Sequence, residues 1–253
     1  MTLLYRHGQG IQRIDKSGEQ RERWNNFNPS GILVKENCEF ELELDGRHII
    51  VQIWSKKITG VNGNETKVFF MDVGHERNHP SDQELGNRLY GGDDSTRIRQ
   101  EYLLGVGGIR AIQALGHDIT GLHLNEGHCT FAMLEMLNQG WSREQLKQRC
   151  LFTTHTPVPA GHDRFSWNDV SSVLGELLPN DAKTLVDDEV MCSMSHLGVA
   201  LAGQVNAVSN LNAYVASGMF AGTHIHPITN GVHHETWTSP ALAQLFDTHL
   251  GLS

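Results

Sequence analysis

The sequence predicts a Rossmann-like α/β fold in which helices flank a parallel sheet, preceded by a β-hairpin near the N-terminus. Helical spacing separates four strand-like runs, which is the alternation expected of a parallel sheet covered by helices. Each run ends in a polar cluster; the runs are 121–125, 150–154, 205–209 and 227–230. Ligands bind outside the carboxyl ends of such strands, so the clusters predict a site there. They are rich in His, Asn, Thr and Gly and poor in Lys, which favours a neutral, hydroxyl-rich ligand over a polyanion.

Composition excludes several classes of protein. The chain has 253 residues, 39% of them hydrophobic, and a formal net charge of −9. We expect no nucleic-acid partner, because phosphate binding needs a basic face. No apolar run approaches the roughly 20 residues of a membrane span, so we expect no membrane association. The N-terminus lacks the features of a signal peptide, which predicts a cytoplasmic protein.

Cysteine and histidine content gives no sign of a metal centre. The four cysteines form no CxxC pair, so they are predicted to be free thiols. Fifteen histidines are present, but none follows the spacing of a structural or catalytic zinc site. We therefore predict no metal.

The N-terminal part of the chain, 1–73, is predicted to be rich in β-structure. Residues 38–44 and 48–54 are strand-like runs joined by Asp45-Gly46, which suits a type I′ turn. A further strand is predicted at 67–72. The polar segment 74–94 is predicted to be a long loop, and loops of that length are often functional.

The remaining part, 95–253, is predicted to form the α/β portion. Ser95 is predicted to cap a helix that runs to Leu115, with Gly116 as its stop. Glycines inside that helix predict close packing or ligand approach, since each costs about 1 kcal/mol relative to alanine. These glycines are Gly105, Gly107 and Gly108, and further helices are predicted at 129–138, after the Ser142 capping box, at 167–177, at 183–203 and after Ser239-Pro240.

Several motifs in order resemble the α-glucan phosphorylases, which include glycogen, starch and maltodextrin phosphorylase. The similarity extends from about Leu3 to Leu250 and is strongest to the shorter bacterial and archaeal branch. The motifs are Leu3-Leu-Tyr-Arg-His-Gly8, Tyr90-Gly-Gly-Asp93, Arg97-Ile-Arg-Gln-Glu101, Leu104-Gly-Val-Gly-Gly-Ile-Arg110, His123-Leu-Asn-Glu-Gly-His128, Thr153-Thr-His-Thr-Pro-Val-Pro-Ala-Gly-His162 and Ile228-Thr-Asn-Gly-Val-His233.

The resemblance implies a GT-B fold and a retaining glycosyltransferase. Such enzymes release α-glucose 1-phosphate from an α-1,4-glucan or maltooligosaccharide, using inorganic phosphate and pyridoxal phosphate. This chain resembles only the N-terminal half of the family. The cofactor lysine is carried by the C-terminal domain, so we expect it outside this chain. We therefore expect a partial N-terminal GT-B domain, a fragment that is inactive without the missing domain.

The resemblance also implies site residues. His155 would lie beside the reacting glucosyl unit as the catalytic residue, with its main-chain carbonyl near the anomeric carbon. Asn125, Glu126 and His128 would bind substrate in a loop after a strand, Glu126 and His128 on the acceptor side. A helix N-terminus would also favour the Glu126 carboxylate.

For three further positions that the resemblance singles out, two interpretations stay open. Asp93 and Asp94 would lie in a mobile gate loop that contacts substrate, or cap the following helix. Asn230 would line the cleft, or serve a turn with Gly231. Asn212 departs from the family pattern, because relatives usually carry histidine near that point.

Two alternative functions stay open from the sequence. One is a non-catalytic glucan-binding module, which the same hydroxyl-friendly strand ends would support. The other is half of a sugar-nucleotide glycosyltransferase of similar architecture. The Asn-Glu-Gly-His and Thr-His-Thr-Pro strings favour phosphorylase.

Overall fold

A computed structural model describes residues 1–8, 10–60, 62–89 and 92–251. Its strands form an antiparallel-rich sheet, a parallel sheet and two small strand pairs. The strands are β1 (Thr2–Leu3), β2 (Ile11–Ile14), β3 (Gln20–Arg23), β4 (Val34–Leu44), β5 (Arg47–Thr59), β6 (Glu65–Asp72), β7 (Leu122–Asn125), β8 (Cys150–Thr154), β9 (Arg164–Ser166), β10 (Met191–Ser193), β11 (Gln204–Ala207) and β12 (His226–Pro227).

Helices cover the parallel sheet and join it to the first sheet. They are α1 (Pro80–Glu84), α2 (Asp94–Tyr102), α3 (Gly108–Ala114), α4 (Phe131–Asn138), α5 (Arg143–Arg149), α6 (Trp167–Leu174), α7 (Ala182–Val186), α8 (Met194–Leu201), α9 (Asn210–Met219), α10 (His234–Trp237) and α11 (Pro240–Leu250). Helix α1 lies inside the segment predicted as a loop at 74–94. Within the described residues, no helix is both long and apolar enough to span a bilayer.

The first sheet has the strand order β1-β6-β5-β4 and confirms the predicted hairpin. Asp45 and Gly46 have φ angles of 53° and 70°, and a type I′ turn needs positive φ at both central residues. Leu42 and Ile53 are buried on its inner face. The alternation of apolar and polar residues therefore decides which face joins the core.

The second sheet has the order β12-β11-β8-β7, and its strands are parallel. This confirms the predicted fold class. Phe152 on β8 and Phe131 on α4 are fully buried in the same core that contains Leu42 of the first sheet. The last predicted strand, 227–230, is reduced to the two residues of β12.

The glycine-containing helix begins earlier than predicted. Asp93, and not Ser95, is its N-cap, since the Asp93 carboxylate accepts the Thr96 N–H. Between α2 and α3 the helix widens into a π-helical stretch, Leu103–Gly107. A Cβ on Gly105 would lie 2.7 Å from the Ala132 nitrogen, so the prediction of close packing is confirmed.

The single helix predicted at 183–203 is wrong. Helix α7 ends at Val186, its C-cap Asp187 is left-handed with φ 55°, and α8 begins only after β10. The Asp188 carboxylate accepts the N–H groups of Val190 and Met191, which opens a turn and lets β10 pair with β9. Helical spacing of apolar residues continued through this turn, although Val190 is exposed.

Candidate functional site

A polar cleft of about 390 Å³ lies at the carboxyl ends of β7 and β8. We call this cavity the polar cleft. The charged and imidazole side chains that line it are Arg97, Glu126, His128, His162 and Asp163. They come from α2, from the loop after β7 and from the loop after β8. The cleft is therefore where a parallel sheet is expected to bind a ligand.

Glu126 has the most unusual backbone in the cleft. Its φ of 68° and ψ of 177° fall in a region that is essentially restricted to glycine. A side chain held there costs about 1–3 kcal/mol, and such strain concentrates at functional sites. The half-buried carboxylate does not cap the 3₁₀ turn Gly127–Cys129. Its Oε1 accepts the N–H groups of His155 and Thr156, the latter at 2.7 Å.

Hydrogen bonds to both its backbone N–H and its backbone carbonyl hold His155 in place. The Glu126 carboxylate accepts its N–H, and its carbonyl accepts a hydrogen bond from Asn212 Nδ2 at 3.1 Å. Asn212 Oδ1 in turn accepts the Val208 N–H at 3.3 Å. The ring Nε2 of His155 is buried without a hydrogen-bond partner. The structure thus presents a fixed carbonyl and an unsatisfied imidazole nitrogen on one residue.

A row of polar side chains crosses the sheet beneath this loop. Thr153 Oγ1 donates to Asn206 Oδ1 at 2.6 Å and lies 2.7 Å from His123 Nε2. The three residues belong to β8, β11 and β7. Sequence reasoning missed Thr153 and Asn206 as site residues. The available signal was two polar side chains on central, buried strands, because such groups must find hydrogen-bond partners inside the fold.

His128 lies where Arg97, Asp163 and Glu126 converge. Burial lowers the pKa of His128 from its ordinary value, more than the nearby Glu126 carboxylate raises it. The imidazole is therefore neutral at neutral pH, and it can both donate and accept a hydrogen bond. This suits hydroxyl groups better than a phosphate.

The other predicted site residues lie at the rim or away from the cleft. Asp93 accepts hydrogen bonds from Thr96 N–H and Oγ1, both at 2.9 Å, and these bonds lower its pKa. Asp94 and Asn125 are exposed. Asn230 is also exposed, and its N–H donates to the Val208 carbonyl. Tyr90 and Gly91 of the second motif fall outside the described residues.

The cleft does not fit pyridoxal phosphate. That cofactor forms a Schiff base with lysine, and the residues lining the polar cleft include none. The described cysteines are free, and burial raises the pKa of Cys129 and of Cys192 to about 12. Neither is therefore a thiolate at neutral pH. Among the described residues, no three metal-binding side chains cluster together.

Sequence comparisons identify the class of protein. No protein-family model matches the chain. Over 98% of its length it is 32% identical to maltodextrin phosphorylase of Thermococcus litoralis. It is also 32% identical over 96% to glycogen phosphorylase of Mycobacterium tuberculosis, and 30% identical over 76% to that of Aquifex aeolicus. The chain belongs to the α-glucan phosphorylase family, and it spans about a third of the length of these relatives.

Proposed function

We propose that this chain forms the glucan-binding side of the active site of an α-1,4-glucan phosphorylase. The whole enzyme would be a retaining glycosyltransferase that converts glucan and phosphate into α-glucose 1-phosphate. The observation that carries the proposal is the strained Glu126, whose carboxylate holds the His155 loop at the mouth of the polar cleft. The phosphorylase names of the relatives support it.

The role of His155 follows from the direction of its peptide dipole. A carbonyl oxygen fixed beside the reacting sugar stabilises positive charge at the anomeric carbon, and a preoriented dipole does so without reorganising. Glu126 and Asn212 supply that orientation by holding the N–H and the C=O of the same residue. We assign the His155 side chain to a hydrogen bond with a sugar hydroxyl, because its Nε2 has no hydrogen-bond partner among the described residues.

The cleft walls fit a neutral ligand. His128 is neutral at neutral pH, and the charge of Arg97 is taken up by Asp163 at 3.0 Å. We assign Glu126 and His128 to the acceptor-side sugar, and Asn125, Asp93, Asp94 and Asn230 to outer contacts with a longer glucan. The pyridoxal phosphate chemistry and the phosphate site belong to parts of the enzyme outside this chain. The isolated chain is therefore expected to be inactive.

Calorimetric titration with maltoheptaose tests the proposal. We expect the 253-residue chain to bind weakly, because half a cleft buries little of a sugar. Glu126→Ala and Asn212→Ala should weaken binding, since each releases the His155 peptide. Glu144→Gln, an exposed change on α5, is the matched control and should leave binding unchanged. Absence of heat from the wild-type chain at millimolar ligand would contradict the proposal.

The expected lack of turnover needs a separate assay. The pure chain, mixed with glucose 1-phosphate and maltoheptaose, should release no phosphate. Steady release, absent from a Glu126→Ala preparation purified in the same way, would overturn the expectation that the chain is incomplete as a catalyst.

A further inference from the structure

Two carboxyl groups share one guanidinium beside the polar cleft. Arg97 Nη2 lies 3.0 Å from Asp163 Oδ2 and 3.6 Å from Glu101 Oε1. Asp163 is partly exposed on the cleft wall, whereas Glu101 is buried, with 1% of its side chain accessible. One positive charge balances only one of two carboxylates. If both were ionised, the buried group would carry an uncompensated negative charge, which is costly in a medium of low dielectric constant.

Glu135 is a buried glutamate whose carboxyl group has a full set of partners. It is as buried as Glu101, but Arg110 contacts both of its oxygens, at 2.8 and 3.2 Å. Gln139 Nε2 donates a third hydrogen bond at 2.7 Å. By contrast, no N–H or O–H group of the described residues donates a hydrogen bond to either oxygen of Glu101. The two residues therefore differ in charge compensation and not in depth.

No other group facing Glu101 supplies a positive charge. Tyr5 and His128 line the same small cavity of about 100 Å³, and burial lowers the pKa of His128. Cys129 and Cys192 also lie within electrostatic range, and both are neutral thiols. Among the described residues, Arg97 is thus the one cation available to the pair.

We propose that Glu101 is a neutral carboxylic acid that shares its proton with Asp163, and that this shared proton fastens α2 to the wall of the polar cleft. Burial, followed by the Asp163 carboxylate, raises the pKa of Glu101 well above its ordinary range, and Arg97 only partly opposes this. Nothing in the proposed reaction uses Glu101, so the shared proton is a separate device.

The shared proton makes ligand binding in the polar cleft depend on pH. Asp163 lies on the loop that follows His155, and its carbonyl accepts the Met194 N–H. Ionisation of Glu101 sets two carboxylates against each other and pushes this loop away from α2. Ligand affinity should then fall by about tenfold per pH unit above the Glu101 pKa, if only the protonated form binds. This second statement rests on the proposed function.

Carbon-13 NMR of glutamate-labelled chain tests the shared proton directly. The Glu101 carboxyl resonance, assigned by its loss in Glu101→Gln, should still show the protonated form well above the ordinary glutamate pKa of about 4.3. In Asp163→Asn, Glu101 should ionise at lower pH, because the repulsion from the Asp163 carboxylate is removed. A Glu101 resonance that titrates at the ordinary glutamate pKa would overturn the proposal.

Stability against pH provides a second measurement. A pKa raised on folding adds stability that is full below the unfolded pKa and is lost as pH rises through the folded pKa. The urea midpoint of the wild type should therefore fall, relative to Glu101→Gln, as pH rises above the ordinary glutamate pKa of about 4.3 and through the raised pKa of Glu101. Glu135→Gln is the matched control: it should lower the midpoint at every pH and keep the wild-type slope. Equal slopes for wild type and Glu101→Gln would contradict the proposal.

Maltoheptaose titration below and above the Glu101 pKa that the NMR experiment measures separates the two statements. Affinity should fall with pH in the wild type and stay constant in Glu101→Gln. Equal affinity at both pH values would overturn the control of binding and leave the shared proton to the NMR result. No binding at any pH would contradict the proposed function alone.

Discussion

Asp72 in the first sheet and Glu101 beside the polar cleft are similarly buried, but their carboxyl groups are differently satisfied. Asp72, fully buried at the end of β6, accepts hydrogen bonds from Arg6, Trp54 Nε1 and the Gly74 N–H. Around the cleft, no N–H or O–H group of the described residues donates to the Glu101 oxygens, and Thr154 Oγ1 and His155 Nε2 are buried without a hydrogen-bond partner there. Glu126 adds a strained backbone there.

This difference distinguishes a structural support, the buried Asp72, from a candidate functional site, the polar cleft. A buried polar group normally finds a partner, because leaving it unpaired costs about 1–3 kcal/mol. Asp72 in the first sheet follows that rule. The cleft departs from it at several neighbouring residues, which is the pattern expected where the fold keeps groups ready for a ligand or a proton.

The largest expected loss of stability is at Asp72, the structural support. Asp72→Ala should destabilise the chain by about 3–5 kcal/mol, because it leaves Arg6 without its buried partner. Urea unfolding followed by circular dichroism measures the loss. Asp118→Ala, at an exposed aspartate, is the control and should change little. A loss below that of the cleft variants would remove the distinction between the two regions.

An intermediate loss of stability is expected at Glu126, where the hydrogen bonds of the carboxylate and the strain of the backbone can be separated. Glu126→Ala removes the acceptor for two backbone N–H groups and keeps the unfavourable φ, so we expect a loss of about 1–3 kcal/mol. Glu126→Gly also removes the acceptor but relieves the strain. It should therefore be more stable than the alanine variant and exchange the His155 and Thr156 amides just as fast.

Glu126→Gln completes that series, since the glutamine amide oxygen can still accept hydrogen bonds from the two backbone N–H groups. Its amide exchange should lie between those of the wild type and Glu126→Ala. If alanine and glycine variants were equally stable, the backbone strain assigned to Glu126 would be wrong. Hydrogen exchange at His155 and Thr156 provides the site-specific measurement, and unfolding in urea provides the global one.

The smallest expected effect is at the rim of the cleft. Asp93→Ala removes the N-cap of α2 and should lower the melting temperature slightly. Ser95→Ala, two residues later, should not, because Ser95 is not the cap. The difference between the two variants is the measurement. Weaker maltoheptaose binding by Asp93→Ala with unchanged stability would support the proposed contact with glucan and contradict the stabilising role of the cap.

Much of the fold followed from local patterns. The Asp45-Gly46 turn and the alternation of polar and apolar residues predicted the first hairpin, since a type I′ turn and a period of two depend on neighbouring residues. The helix at 183–203 failed because apolar spacing carries no information about the Asp188 carboxylate. That side chain captures two backbone N–H groups and ends the helical register.

The amino-acid sequence was sufficient for the α/β class, for the expectation of a cleft at the strand ends and for the resemblance to the α-glucan phosphorylases. Each of these depends on short motifs or on periodicity. The clamp on His155 joins residues 29 apart in the chain, and the Arg97–Asp163 contact joins residues 66 apart. Such distances are closed by packing of the whole core. The strain at Glu126 and the burial of Glu101 therefore emerged from the folded chain, because burial and unpaired charge are properties of surroundings and not of spacing.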